Sequence, residues 1–177
     1  IARYDGSGPR YTSYPTADRF IEGPIVAQYV TALHKRQDAR SGAALSLYVH
    51  LPWCLKKCPY CDFNSHEWRG EGDHPPEGAY IDALMADLEA SLPLVWGRSV
   101  HSIFFGGGTP SLFSPAGIDR LISGIRARLR LEADCEITLE ANPGTFEIDK
   151  FKGFRDAGVN RLSIGIQSFN AVHLKSL

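Results

Sequence analysis

The hydrophobic pattern changes period repeatedly after residue 44. "LSLYVHL" (Leu45 to Leu51) is a short apolar, β-rich run and predicts a strand. "YIDALMADLEASL" (Tyr80 to Leu92) then places Tyr80, Ile81, Leu84, Met85 and Leu88 on one helical face. "VHSIFF" (Val100 to Phe105) predicts a second strand. "SPAGIDRLISGIRARL" predicts a helix with Ser114 as N-cap, Pro115 at the first helical position and apolars at Ile118, Leu121, Ile122, Ile125 and Leu129. "EITLE" (Glu136 to Glu140) is the third strand. "FEIDKFKGFRDAG" is a helix stopped by Gly158. "RLSIGI" (Arg161 to Ile166) is the fourth strand, and "NAVHLKSL" opens another helix. Residues 1–40 read differently. "GSGPRYTSYPTADRF" is loop-rich, a short helix is predicted over Ile25 to Lys35, and "RQDARSGA" has the composition of a linker.

Strand and helix alternate with short turns, which implies βαβ units and a parallel sheet. Four such units are half of a (β/α)8 barrel or the opening of a doubly wound sheet. The unusual residues then fall in one place. Three cysteines follow the first strand, "GGGTP" (Gly106 to Pro110) follows the second, Glu140 ends the third and Gln167 follows the fourth. The C-terminal ends of parallel strands are where α/β folds build their sites.

Composition narrows the field. The chain has 177 residues, 44% hydrophobic and 22% charged, which is ordinary for a globular domain. A net charge of −1 gives no basis for a nucleic-acid or anionic-membrane surface. No apolar run reaches the ~20 residues of a membrane span. The first residues carry no apolar stretch of the secretory kind. The chain stops at Leu177 within a helical pattern, so part of a longer protein is expected. Four cysteines, three of them clustered, suggest metal or redox chemistry in a reducing compartment rather than disulfides, and a cytoplasmic location is expected. Cys135 stands apart and reads as a small buried thiol.

The cluster is "CLKKCPYC", with Cys54, Cys58 and Cys61 spaced Cys-x3-Cys-x2-Cys. One reading is a Cys3His zinc site completed by His50 or His66. The other is a [4Fe–4S] cluster with three protein ligands and one iron left open. "FFGGGTPSLF" lacks the Gly-Lys-Ser/Thr of a phosphate loop, and Ser111 stands where a dinucleotide fingerprint needs Gly or Ala. It is either a tight turn or a loop that lets backbone N–H and C=O groups approach a ligand. Glu140 either reaches solvent, caps the next helix, or accepts from an amine or from ribose hydroxyls. Gln167 is turn chemistry or a two-way hydrogen bonder. His50, inside the first strand near the cysteines, is a candidate to support the site from behind. The other histidines, His34, His74, His101 and His173, carry no signal.

Taken together and in order, "YVHLPWCLKKCPYCDFN", "FFGGGTPS", "LEANPGT" and "GIQSFN" resemble the radical S-adenosylmethionine superfamily. They are most similar to the branch containing oxygen-independent coproporphyrinogen III dehydrogenase and a related heme chaperone. The resemblance implies a partial TIM-type barrel of which this chain holds about the first four βα units, over residues 41–177, preceded by an N-terminal arm over residues 1–40. It implies that Cys54, Cys58 and Cys61 ligate a [4Fe–4S] cluster whose open iron takes the amine and carboxylate of S-adenosylmethionine. It also implies a 5′-deoxyadenosyl radical as the reactive species, and an electron donor that the sequence does not identify. By motif match, Tyr48 and Tyr60 would lie against the nucleoside and cluster. Gly107, Gly108 and Thr109 would meet the methionine end, and Glu140 and Gln167 would hold the ribose or amine. Heme or a porphyrinogen would be the further small molecule. Phe63 stands where the dehydrogenase pattern has another Cys, and this favours the chaperone. "RYDGSGPRYTSYPTADRF" resembles the dehydrogenase arm and favours decarboxylation of coproporphyrinogen III. A zinc-stabilised binding module is the third reading.

Overall fold

The computed structural model describes Thr31 and residues 44–70, 75–143 and 148–175. The chain divides into two compact units, residues 1–39 and 40–177. The sheets and the helices that pack on them belong to the second unit. The expected helix over Ile25 to Lys35 lies outside the described residues apart from Thr31.

Strand β1 spans Leu45–Leu51, as expected. A two-residue strand β2 (Trp53–Cys54) and its partner β3 (His66–Glu67) bracket the cysteine loop. Helix α1 runs Glu77–Val95, β4 Ser99–Gly107, α2 Pro115–Arg128, β5 Arg130–Ala141, α3 Ile148–Asp156, β6 Arg161–Ile164 and α4 Ala171–Leu174. Strands β1, β4, β5 and β6 form one sheet in that order, every pair parallel. Each new strand joins the same edge. A doubly wound sheet would reverse its direction of growth, so the order decides for the barrel-type winding and against the alternative.

Winding in one direction puts the helices on one face, and the core lies between them and the sheet. Leu45 and Leu51 of β1, Ile103 and Phe105 of β4, and Ile137 and Leu139 of β5 point into it. They meet Ile81 of α1, Ile118, Leu121, Ile122 and Ile125 of α2, and Phe154 of α3. Helix α2 packs against both α1 and α3. It starts as the sequence predicts, with Pro115 in its first turn and the Ser114 hydroxyl accepting from the Gly117 N–H at 2.9 Å. The same hydroxyl donates to the Glu77 carboxylate at 2.7 Å, and the Ser114 N–H donates to it at 2.6 Å. One acid thus ties the start of α1 to the start of α2. Helix α3 ends at Asp156, and Gly158, with a φ of +111°, closes the turn that returns the chain to β6.

Three boundaries differ from the sequence reading. Strand β4 runs through Gly107, so two of the three glycines belong to the strand end, paired with His50 and Leu51. Strand β5 begins at Arg130 rather than Glu136. Its first residues pair with Ser99 and Val100 across a register shift, and the polar run "RLEAD" hides this from a hydrophobic pattern. Strand β6 stops at Ile164, two residues early, and its helix-side residues Leu162 and Ile164 are exposed.

Candidate functional site

The opposite face of the sheet carries Tyr48, His50, Phe104, Thr138 and Glu140 and ends in the C-terminal rim. A cleft there is lined by Cys54, Cys58 and Cys61 on one side. The ends of β4, β5 and β6, with Gly107, Gly108, Thr109, Glu140, Asn142 and Gln167, form the other. The rim placement expected from sequence is therefore found, and these strand ends do converge.

The cysteine loop is closed by hydrogen bonds rather than by apolar packing. The His66 N–H donates to the Pro52 carbonyl at 2.7 Å and the Trp68 N–H to the Cys54 carbonyl at 2.8 Å, which makes the β2–β3 pair. Within the loop the Cys61 N–H donates to the Cys58 carbonyl at 3.0 Å. The Lys57 ammonium spans it, donating to the Ser65 carbonyl at 3.0 Å and the Phe63 carbonyl at 3.3 Å. Apolar side chains do the reverse of what they do in the core: Leu55, Tyr60 and Phe63 are exposed. All three cysteines are free thiols.

His50 ties this loop to the barrel. Its Nε2 lies 2.8 Å from the Asn64 carbonyl, which can only accept, so Nε2 carries a proton. With that proton on Nε2, Nδ1 is the acceptor for the Tyr48 hydroxyl at 3.1 Å. The His50 carbonyl in turn accepts from the Tyr80 hydroxyl at 2.7 Å, anchoring β1 to α1.

The glycines are needed for close approach of two backbones. A Cβ on Gly108 would sit 2.6 Å from the carbonyl oxygens of Pro52 and Trp53, and one on Gly107, whose φ is +120°, would strike the His50 ring at 2.7 Å. The Gly108 N–H donates to Leu51 and the Thr109 N–H to Trp53, at 2.9 and 2.8 Å, while the Gly107 N–H reaches the Glu140 carboxylate at 3.3 Å. The three N–H groups are thus bonded within the protein, Gly108 to the end of β1, Thr109 to the cysteine loop and Gly107 to β5, rather than turned toward the cleft. What the loop offers the cleft is room.

Burial raises the pKa of Glu140, partly offset by the Gly107 N–H that favours its charged form. A hydrogen bond with Cys58, then burial, then the charges of Cys58 and Cys61 raise that of Tyr60. Tyr48 is also raised, by burial first and then by Glu140, but it does not line the cleft. Its ring stacks on Phe104. Gln167 lines the cleft and is the one non-glycine residue with positive φ, 62°, among those described. Cys135 is a buried thiol far along β5, its pKa raised by burial.

Sequence reasoning missed Asn142, Ser163 and Lys56. Asn142 lies in the quoted "LEANPGT" and its amide donates to the Thr109 hydroxyl at 3.0 Å, joining the ends of β4 and β5. Ser163 sits beside Glu140 in register. Lys56 brings a cation to the wall. Each was hidden as an ordinary polar residue near a louder motif.

A sequence model of the radical SAM superfamily matches residues 48–177, and the chain belongs to that superfamily. Membership implies S-adenosylmethionine and a [4Fe–4S] cluster as cofactors. Over 133 residues the chain is 55% identical to a protein of Escherichia coli (strain K12) named heme chaperone HemW, covering 75% of this chain and 34% of that one. Over 170 residues it is 39% identical to the oxygen-independent coproporphyrinogen III oxidase of the same organism, covering 96% and 36%. The solved structure titled "Coproporphyrinogen III oxidase (HemN) from Escherichia coli is a Radical SAM enzyme" shares the fold with a TM-score of 0.75 at 36% identity, over 93% of this chain and 36% of that one. The chain thus spans about a third of the length of these curated relatives.

The residues fit the implied cofactors. Three free thiols line one cleft, which is the donor set of a [4Fe–4S] cluster held by three thiolates with one iron left open.

Proposed function

We propose that this chain is the N-terminal part of the radical SAM core of a heme-handling protein of the chaperone kind. Cys54, Cys58 and Cys61 would hold a [4Fe–4S] cluster. S-adenosylmethionine would lie between that wall and the strand ends. The observation that carries this is the cleft itself, with three thiols facing the glycine rim, Glu140 and Gln167. When bound, the cluster supplies the single electron that splits the sulfonium of S-adenosylmethionine. The chain's own residues hold and orient. Glu140, fixed by the Gly107 N–H, accepts from an amine or hydroxyls. Gln167 can donate and accept. Lys56 offers a cation to a carboxylate, and Tyr60 stands over the Cys58 thiolate. Phe63, exposed at the cleft, leaves no fourth thiol beside the third ligand, and this favours heme as cargo. A cytoplasmic location and a separate protein electron donor belong to the same reading.

The second reading, oxidative decarboxylation of coproporphyrinogen III, is supported by residues 1–40. The 170-residue match to the oxidase includes most of them, whereas the 133-residue match to the chaperone covers less of the chain. The test uses the full-length protein, reconstituted anaerobically with iron and sulfide. Stoichiometric heme binding without turnover of coproporphyrinogen III supports the first reading. Formation of protoporphyrinogen IX sinks it in favour of the second. A colourless protein holding one zinc sinks both.

A further inference from the structure

We infer that Ser65 is the hydrogen-bond donor to the Cys61 sulfur and that this bond raises the reduction potential of a cluster held there. The inference rests on Cys61 being a cluster ligand, as proposed above.

Ser65 is 2% exposed, a buried hydroxyl in a loop whose Leu55, Tyr60 and Phe63 side chains are open to solvent. Its Oγ has two acceptors in reach, the Cys61 Sγ and the Phe63 carbonyl, each at 3.5 Å. For an O–H···O bond 3.5 Å is far beyond the usual ~2.5–3.0 Å. Sulfur is larger and its hydrogen bonds are longer. The Phe63 carbonyl is also spent. It already accepts from the Ser65 N–H at 2.7 Å and from the Lys57 ammonium at 3.3 Å, which uses both lone pairs. The hydroxyl proton therefore belongs to Cys61. A metal-binding cysteine is a thiolate and can only accept, so ligation strengthens the same bond.

The backbone that carries the donor is fixed on both sides. The Lys57 ammonium holds the Ser65 carbonyl at 3.0 Å, and the next residue, His66, starts the β2–β3 pair. Lys57 is thus a positioning residue and Ser65 the group that touches the ligand. A hydrogen bond to a ligating sulfur stabilises the extra negative charge of the reduced cluster, which is one of the protein's means of tuning potential.

The experiment is a reductive titration of the anaerobically reconstituted protein, followed by the EPR signal of the reduced cluster. Ser65→Ala is expected to take up the same iron as wild type, with a several-fold smaller reduced fraction at a fixed solution potential. Ser65→Thr, which keeps the hydroxyl, is expected to follow wild type, and Ser65→Val, its isostere, to follow Ser65→Ala. Superimposed titrations of wild type and fully loaded Ser65→Ala overturn the inference. Should Ser65→Ala lose iron, the Thr and Val variants decide, and identical titrations of that pair overturn it. A Cys61→Ala protein that still assembles the full cluster overturns the ligand assignment instead, so the two failures are told apart by iron content.

Discussion

The helix-covered side of the sheet and the cysteine loop are built from opposite materials. In the first, Ile103, Leu121, Ile122 and Leu139 are all 0–1% exposed and touch other apolar side chains. In the second, Leu55 and Phe63 are 59% and 67% exposed, while the buried side chains are a cysteine and a serine, Cys54 and Ser65. The core coheres without direction, through area removed from water. The loop coheres through a few aimed bonds, from Lys57, His50 and the rim backbone. The scaffold should therefore survive damage to the loop, and the loop should fail before the scaffold does.

Replacing a ligand tests that separation most severely. Cys58→Ala is expected to abolish cluster assembly, from about four irons per chain to none. The melting temperature of the iron-free protein should stay unchanged. Iron analysis and circular dichroism check the two halves, and a large loss of apo-protein stability would break the comparison. Leu121→Ala is the converse. A fully buried leucine in α2 costs about 2–5 kcal/mol, lowering the melting temperature by about 4–20 °C in a chain of this size. Iron per folded chain should be unaffected.

The same contrast explains what the sequence revealed. Strand β1 was readable to both ends, and helix α2 down to its cap, because apolar period and Ser-Pro capping are local signals. The cleft was readable as a set of motifs because each follows a strand. Its internal wiring was not. That the three N–H groups of residues 107–109 face inward depends on where Leu51, Trp53 and Glu140 lie in space. The motif did not reveal that Tyr48 stacks on Phe104 and turns its hydroxyl to His50. The polar start of β5 and the two-residue β2–β3 pair carry no periodicity to detect.

Gly108→Ala probes the seam where the two regions meet. The added Cβ meets two backbone carbonyls at 2.6 Å, which cannot rotate aside as a side chain could. The rim must move off the cysteine loop, at a cost of about 1–3 kcal/mol. Faster loss of iron to a chelator and weaker S-adenosylmethionine binding are expected, with a melting shift smaller than that of Leu121→Ala. Equal cluster lifetimes in variant and wild type would show that the seam is not needed.

The smallest expected effect concerns Glu140, at the same seam. Burial raises its folded-state pKa above the ordinary value of 4.5, and the Gly107 N–H only partly opposes this. A raised carboxyl binds its proton more tightly folded than unfolded. Its contribution to stability is therefore fully present below the unfolded value and is lost as pH rises through the folded one. Glu140→Gln removes that dependence. Its melting temperature at neutral pH should equal or slightly exceed that of wild type, and its stability should vary less with pH just above 4.5. The same variant should bind S-adenosylmethionine more weakly, since a neutral amide attracts an amine less than a carboxylate does. Loss of ligand together with retained or improved stability is what a group held for binding predicts. A variant that instead melts well below wild type at neutral pH would make Glu140 part of the scaffold, held there by its bond to Gly107.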